Sequence, residues 1–230
     1  MAPADSTPQG TAVDYDPFAD APLARVVPAT ESQREIWLAA SLGACASLAY
    51  NESITLHFTT ALDADALARA LQRVVDRHDA LRGSMSADGQ QFCVASALHV
   101  PVGQQDLTAL DAAARAAALA DALRRSVETP FDLAQGPLLR AELLRLTANE
   151  CVLLIGTHHI VCDGWSFGVI ARELALLYRQ ECDGIRAELP AADSFADFAI
   201  AEGQHRQTPA FREDEAFWLA RVTPLPVPLD

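Results

Sequence analysis

The chain has 230 residues, half of them hydrophobic, which is enough to bury the core of one large domain or two small ones. Its formal net charge of −14 argues against nucleic acid and anionic membranes as partners, because both repel an acidic surface. The sequence has no signal-peptide pattern and no apolar run of membrane-spanning length, and its five cysteines form no C-x-x-C pair. We therefore expect a cytoplasmic protein with reduced thiols.

The two ends of the chain differ in composition from its middle. Residues 1–25 are rich in proline, alanine and aspartate and predict a flexible tail or interdomain linker, with docking to an upstream protein as the alternative. The alternating prolines of residues 223–230 predict a stiff, extended connection rather than the end of a finished domain. The patterns of regular structure lie between these segments, in residues 26–222.

Helices and strands are interspersed along this middle region. Capping residues and a 3.6-residue apolar period predict helices, and short apolar or alternating runs predict strands. The predicted helices cover 30–42, 63–77, 110–127, 166–182, 194–207 and 211–221, and the predicted strands cover 53–58, 81–85, 90–94, 99–102, 138–146 and 151–155. This order predicts an α/β sandwich with at least one long crossover connection.

The strongest chemical signal follows the last predicted strand. That strand stops at Gly156, and His158 and His159 lie where a loop begins. Adjacent residues of an extended chain point to opposite sides, so one imidazole should face the protein interior and the other a cavity. An imidazole titrates near neutral pH, which makes the cavity-facing histidine a candidate general base.

Other interpretations of this loop are open. The two histidines and Asp163 would also fit as hydrogen-bonded polar groups at a strand end, with no chemistry. A metal site would need further ligands at short spacing, and because they are missing we expect no metal. Cys162 lies within the loop, but nothing in the sequence around it indicates a reactive thiolate.

Asp163 has two candidate roles. It could orient an imidazole, or it could pair with an arginine and hold the loop in place. The candidate partners are Arg77 and Arg82, at a predicted helix end and a predicted strand start. Removing one member of such a buried pair would leave an unpaired charge, at a cost of about 3–5 kcal/mol. We therefore expect these three residues to be structural rather than catalytic.

Five short stretches follow one another in a characteristic order: SQREIWL at 32–38, RHDALR at 77–82, PFDL at 130–133, HHIVCDGWS at 158–166 and FADFA at 195–199. Together they resemble the motifs of the condensation domains of nonribosomal peptide synthetases, which belong with the chloramphenicol-acetyltransferase-like acyltransferases. The chain departs from the family pattern at Ser32, where alanine is usual, and at Asp79, where glutamate is usual. The sequence Gly-Ser-Met at 83–85 also replaces a Thr-x-Phe ending.

This resemblance implies a chloramphenicol-acetyltransferase-like α/β sandwich, with a mixed sheet and flanking helices. Domains of the family have two similar lobes with a reaction tunnel between them. Residues 26–222 resemble only the first, N-terminal lobe. The expected partner within the same domain is therefore a C-terminal lobe, and the first lobe alone should have little activity.

The resemblance also implies a reaction and a set of site residues. The reaction is amide formation, in which the amine of a carrier-bound aminoacyl group attacks a carrier-bound acyl or peptidyl thioester. His159 would face the tunnel as base or positioner, and His158 would point inward. Gly164 would let the backbone approach substrate closely, and Trp165 and Ser166 are candidate tunnel-lining residues.

The implied partners are donor and acceptor carrier proteins, whose phosphopantetheine arms bring the substrates, so no cofactor is expected to bind directly. A stand-alone acyltransferase of the same superfamily and a non-catalytic module that recruits carriers or enzymes are the alternative functions. A heterocyclising relative would carry aspartate at the position of His158. Gln33 and Trp37 favour condensation over epimerisation, because epimerisation domains usually depart from the first motif.

Overall fold

The computed structural model describes residues 22–186 and 188–223. Most of the predicted tail and nearly all of the proline-rich segment lie outside these described residues. The exception at the N-terminus is Leu23–Pro28, which forms a strand although the composition assigned its first half to the tail. The strand forms because its backbone pairs with residues 91–95, a partner that composition does not reveal.

The strands span Leu23–Pro28 (β1), Asn51–Phe58 (β2), Gly83–Met85 (β3), Gln91–Ala95 (β4), Val102–Asp106 (β5), Leu139–Thr147 (β6) and Glu150–His158 (β7). In the described part of the chain they form two sheets, ordered β1-β4-β3 and β2-β7-β6-β5. Every pairing is antiparallel except that of β5 with β6. The larger sheet is therefore mixed, as predicted.

The helices span Glu31–Ala40 (α1), Ala44–Leu48 (α2), Ala64–Arg77 (α3), Ala112–Glu128 (α4), Gly164–Asp183 (α5), Phe195–His205 (α6) and Pro209–Val222 (α7), with a 3₁₀ helix at Asp79–Arg82. The predicted capping box of α1 is present, because Thr30 and Gln33 hydrogen-bond each other's backbone. Helix α4 supplies the long crossover that the parallel strands β5 and β6 require.

Strand β7 lies inside the larger sheet and is covered on both faces. Leu153 and Ile155 belong to the main core with α3 and α5, whereas Val152 and Leu154 pack with Ala122 of α4. A strand covered on both faces reads as a continuous apolar run, which explains its sequence. The alternation of the two faces continues to the end of β7 and sets the direction of the residues that follow.

The boundaries of several elements differ from the sequence prediction. Strand β7 runs through Gly156 to His158, because β2 pairs with it along its whole length. A Cβ at Gly156 would lie 3.1 Å from the Ser126 carbonyl oxygen, so the glycine marks a close approach of α4 rather than a strand end. The first two residues of the strand predicted at 81–85 belong to the 3₁₀ helix at 79–82, and β5 begins at Val102 instead of ending there.

Candidate active site

The backbone of the loop between β7 and α5 accepts or donates hydrogen bonds on both sides of His159. The His159 amide donates to the Tyr50 carbonyl oxygen at 2.8 Å, which extends the pairing of β2 with β7 by one residue. On the other side, the buried Gln33 side chain of α1 donates from Nε2 to the Ile160 carbonyl oxygen at 3.2 Å. The residues around His159 are therefore fixed by two separate elements before any substrate is present.

His158 is completely buried. Its Nδ1 accepts a hydrogen bond from the Ile160 amide at 3.2 Å, and its ring lies among the rings of Tyr50 and Phe131. Burial, with a smaller contribution from the neighbouring His159, lowers the pKa of His158 to about 4, and the Ser47 backbone offsets part of that shift. The side chain is therefore neutral at physiological pH and has no surface exposed to solvent.

His159 occupies the opposite side of the chain, as the alternation of an extended backbone predicts. Its side chain is 39% exposed. Its Nδ1 lies 2.9 Å from Oε1 of Glu52 on β2, and its ring stacks with that of Tyr50 at a centroid distance of 6.4 Å. The imidazole thus has one edge toward a carboxylate and part of its surface open.

The open side of His159 faces a groove with a volume of about 400 Å³. Its walls come from α1, the site loop and α6, and they include Ile36, Cys162, Ser166, Phe195, Phe198 and Glu202. A second groove, of about 340 Å³, is lined by Trp165 and by residues of α5 and the segment 190–193. The two grooves share Ala80, Val161 and Ser166, so they adjoin at the N-terminus of α5.

Cys162 also lines the first groove but is unsuited to nucleophilic chemistry. Burial raises the pKa of its thiol to about 11, so the group stays protonated at neutral pH. Residues 22–186 and 188–223 hold no cluster of three or more histidine, cysteine, aspartate or glutamate side chains placed to bind a metal. The same residues include no helix with the length and apolar character needed to cross a membrane.

The comparison with known families identifies the chain. The profile of the condensation-domain family matches residues 23–228, which include the loop and both grooves. The chain belongs to the condensation-domain family. The membership agrees with the motifs, and the α/β architecture with its mixed sheet is the one that the resemblance predicted.

Individual relatives of this condensation-domain sequence are much longer synthetases. It is 36% identical over 96% of its length to chondramide synthase cmdD of Chondromyces crocatus, and it covers 6% of that protein. It is 34% identical over 89% of its length to phosphinothricin tripeptide synthetase PhsC of Streptomyces viridochromogenes, of which it covers 19%. The chain therefore spans only a small part of these relatives.

A solved structure gives the matching view of the fold. The starter condensation domain of rhizomide synthetase RzmA superposes with a TM-score of 0.80 at 26% sequence identity. The superposition covers 89% of this chain and 50% of that chain. The chain therefore has the architecture of about half of a solved condensation domain.

The predicted partnership of Asp163 with an arginine is wrong within the described residues of this condensation-domain chain. Arg77 donates to Glu173 of α5, with Nε 3.0 Å from Oε2, and to the Pro190 carbonyl oxygen. Arg82 donates to backbone carbonyl oxygens, including that of Ala95 at 3.1 Å. The hydrogen bonds of both arginines therefore go to other elements than the loop.

Asp163 instead caps helix α5. Its Oδ1 accepts from the Ser166 amide at 2.8 Å and from the Ser166 hydroxyl at 2.6 Å. The Ser166 side chain and backbone hydrogen bonds hold the pKa of Asp163 below its usual range. Apart from the neighbouring residues and backbone of its own helix, no described atom lies within 4 Å of the position of a Cβ at Gly164, and Trp165 is 84% exposed. Packing within the described residues therefore does not explain why a glycine and a tryptophan occupy these two positions.

The sequence prediction missed Glu52, the carboxylate that contacts the His159 ring. The predicted strand began at Ser53, two residues too late, so the pairing of β2 with β7 did not include Glu52. The observed register sets Glu52 opposite Thr157, two residues before His159 and therefore on the same face. The sequence shows a glutamate just before the predicted strand, but only the register of β2 against β7 shows that it lies beside His159.

Replacing Asp163 by alanine is expected to lower the free energy of unfolding by about 1 kcal/mol, because α5 loses its N-terminal side-chain cap. Asp163→Asn should lose less, since the amide oxygen still accepts from the Ser166 amide. Urea unfolding of both variants at neutral pH measures the difference. Equal stability of wild type and Asp163→Ala would contradict the capping role.

Proposed function

We propose that residues 26–222 form the N-terminal lobe of a condensation domain of a nonribosomal peptide synthetase. The lobe would contribute to forming an amide bond between a carrier-bound acyl or peptidyl thioester and the amine of a carrier-bound aminoacyl group. The observation that carries this proposal is the placement of the two histidines. His158 is buried and neutral, whereas His159 is half-exposed beside a groove and retains an imidazole edge for chemistry.

The chemistry follows from what an imidazole can do at that place. The amine nitrogen attacks the thioester carbonyl carbon, a C–N bond forms, and the nitrogen gives up a proton to Nε2 of His159. The tetrahedral intermediate then breaks its C–S bond. The departing phosphopantetheine thiolate takes up the proton from the imidazolium, which returns His159 to its neutral form. His159 in this proposal both accepts the proton and holds the amine in line with the carbonyl.

The substrates in this proposal are thioesters on the phosphopantetheine arms of donor and acceptor carrier proteins, and the domain needs no cofactor of its own. Support comes from the relatives, one of which is a tripeptide synthetase, and from the shape of the site. Both grooves are open on this half of the domain. A C-terminal lobe would close them into a tunnel, with Trp165, Ser166 and Gly164 on its wall.

Two further features of the proposal depend on the sequence. The net charge of −14 disfavours nucleic acid and anionic membranes as partners. The five cysteines are scattered along the sequence without a disulfide-type pattern, which is typical of reduced thiols, so we place the reaction in the cytoplasm.

The test is an acyl-transfer assay with an acyl-loaded donor carrier and an aminoacyl-loaded acceptor carrier, read by intact-protein mass spectrometry. It compares the 230-residue chain with the complete condensation domain that contains it. We expect transfer by the complete domain and little transfer by the chain alone. Transfer to a free small-molecule amine but not to a carrier would favour a stand-alone acyltransferase. Carrier binding by the complete domain without any transfer would favour a recruitment module.

A further inference from the structure

Glu52 and His159 are brought together by the sheet itself. The first residues of β2 pair with the last residues of β7, with Asn51 opposite His158 and Glu52 opposite Thr157. His159 continues this ladder through its amide bond to Tyr50. Thr157 and His159 are two residues apart and share a face, and Glu52 lies opposite Thr157, so Glu52 and His159 point to the same side. Their contact is therefore set by rigid paired backbone rather than by a mobile loop.

The contact has a defined direction. Oε1 of Glu52 lies 2.9 Å from Nδ1 of His159, which is within ion-pair distance. The angle between the two groups departs from that of a well-aligned hydrogen bond. Nδ1 is shielded from solvent, whereas the side chain as a whole is 39% exposed. The exposed part of the ring is therefore away from Nδ1. This leaves Nε2 as the nitrogen available to a group in the groove.

The other carboxylate of the site loop is already engaged. Asp163 accepts two hydrogen bonds from Ser166 at the start of α5. Glu52 has no such commitment among the described residues, since its Oε2 is buried without a hydrogen-bond partner. A buried carboxylate oxygen without a donor is unfavourable unless a nearby positive charge compensates for it. An imidazolium at His159 would supply that charge.

We infer that Glu52 is a positioning residue that acts through His159. The carboxylate holds the proton of the neutral imidazole on Nδ1, so that Nε2 presents its lone pair to the substrate amine. It also stabilises the imidazolium that forms when Nε2 takes the amine proton. This inference rests on the proposed function of His159 and adds to it the group that selects the tautomer.

A double-mutant cycle tests whether the effect of Glu52 passes through His159. Glu52→Gln, His159→Ala and the double variant are made in the complete domain and assayed with loaded carriers. We expect Glu52→Gln to lower kcat by about tenfold, a part of the contribution of a general base, with KM unchanged. In the His159→Ala background the same change should cost nothing further. Glu150→Gln, an exposed glutamate at the far end of β7, is the matched control and should keep the wild-type rate.

A spectroscopic measurement reports the tautomer without relying on the rate. The domain is labelled with ¹⁵N-histidine, and the His159 signals are assigned by their loss in His159→Ala. At a pH where the rings are neutral, we expect a protonated Nδ1 in the wild type and a shift of population toward protonated Nε2 in Glu52→Gln. Thermal unfolding of each variant checks that the fold is retained.

The outcomes separate the inference from the proposed function. A wild-type rate for Glu52→Gln with a slow His159→Ala would overturn the role of Glu52 and leave that of His159 intact. The same loss from Glu52→Gln in both backgrounds would also overturn it, because Glu52 would then act independently of the histidine. A wild-type rate for His159→Ala would overturn the proposed role of His159, and the inference about Glu52 with it. Absence of transfer by the complete wild-type domain would defeat the proposed function itself.

Discussion

Replacing His159 by alanine is expected to slow amide formation by about 10²- to 10⁴-fold in the complete domain, the usual contribution of a positioned general base. The change removes the imidazole that borders the groove and leaves the buried His158 in place. Single-turnover transfer between loaded carriers, followed by mass spectrometry, measures the step directly. Carrier binding should be unchanged, because the imidazole lies inside the groove rather than on an outer surface.

The chain offers a matched control for this experiment. His57 lies on β2, is exposed to solvent and lines neither groove, so His57→Ala should transfer at the wild-type rate. A wild-type rate for His159→Ala as well would mean that the alignment of two tethered substrates supplies the acceleration. If His159→Ala is largely unfolded at the assay temperature, the slow transfer would be explained by loss of the fold, and the role of His159 would be structural instead.

The opposite directions of the two histidines could be predicted because they depend on local geometry, whereas the assignment of His158 as the inward one came from the family resemblance. A strand that ends at His158 must direct its next residue to the opposite side, and no tertiary information is needed for that step. The capping box of α1 and the cap of α3 at Asp63 are local in the same sense. Short-range patterns therefore located the site loop and the helices that follow and precede it.

The partners of the charged residues could not be predicted, because they depend on which elements pack together. Arg77 was expected near Asp163, yet its carboxylate partner is Glu173, which lies on α5 ten residues after Asp163. The sequence did contain a sign of this, since Glu173 falls on the same helical face as Ile170, Leu174 and Leu177. A glutamate within an apolar stripe is a buried charge that requires a partner. Only the packing of α3 against α5 shows that the partner is Arg77.

Asp79 makes the same point for the second motif. Its carboxylate accepts from the Ser194 hydroxyl at 2.7 Å and from the Phe195 amide at 2.8 Å, at the first turn of α6. Phe195 in turn lines the groove beside His159. The second and fourth motifs are therefore parts of one support, although the sequence separates them by more than a hundred residues.

Replacing Arg77 by alanine is expected to lower the free energy of unfolding by about 3–5 kcal/mol, because it leaves a buried carboxylate without its main partner. Glu173 is only 3% exposed, and its other partner is His78, whose Nε2 lies 2.9 Å from Oε2 of Glu173. Burial raises the pKa of Glu173, but the hydrogen bonds of Arg77 and His78 outweigh it and lower that pKa overall. Urea unfolding of the complete domain at neutral pH measures the loss.

The sign of the pH dependence follows from that direction. A carboxyl group with a lowered pKa in the folded state contributes its full stability above its unfolded pKa of about 4.3. The contribution is lost as the pH falls through the lower, folded value. Arg77→Ala should therefore lose less stability relative to wild type in acid than at neutral pH. A difference that stays constant across this range would show that lost packing, rather than an unpaired charge, accounts for the effect.

Two further variants identify the unpaired charge as the cause. Arg69→Ala, on the exposed side of the same helix, should cost much less, because its partner Glu181 stays in contact with Arg73 and with solvent. Arg77→Met combined with Glu173→Leu should recover much of the stability that Arg77→Ala loses, since apolar side chains of similar volume can replace a buried ion pair. Recovery would locate the cost in the stranded carboxylate. A double variant as unstable as Arg77→Ala would mean that α5, and with it the capped turn beside His159, depends on the ion pair itself.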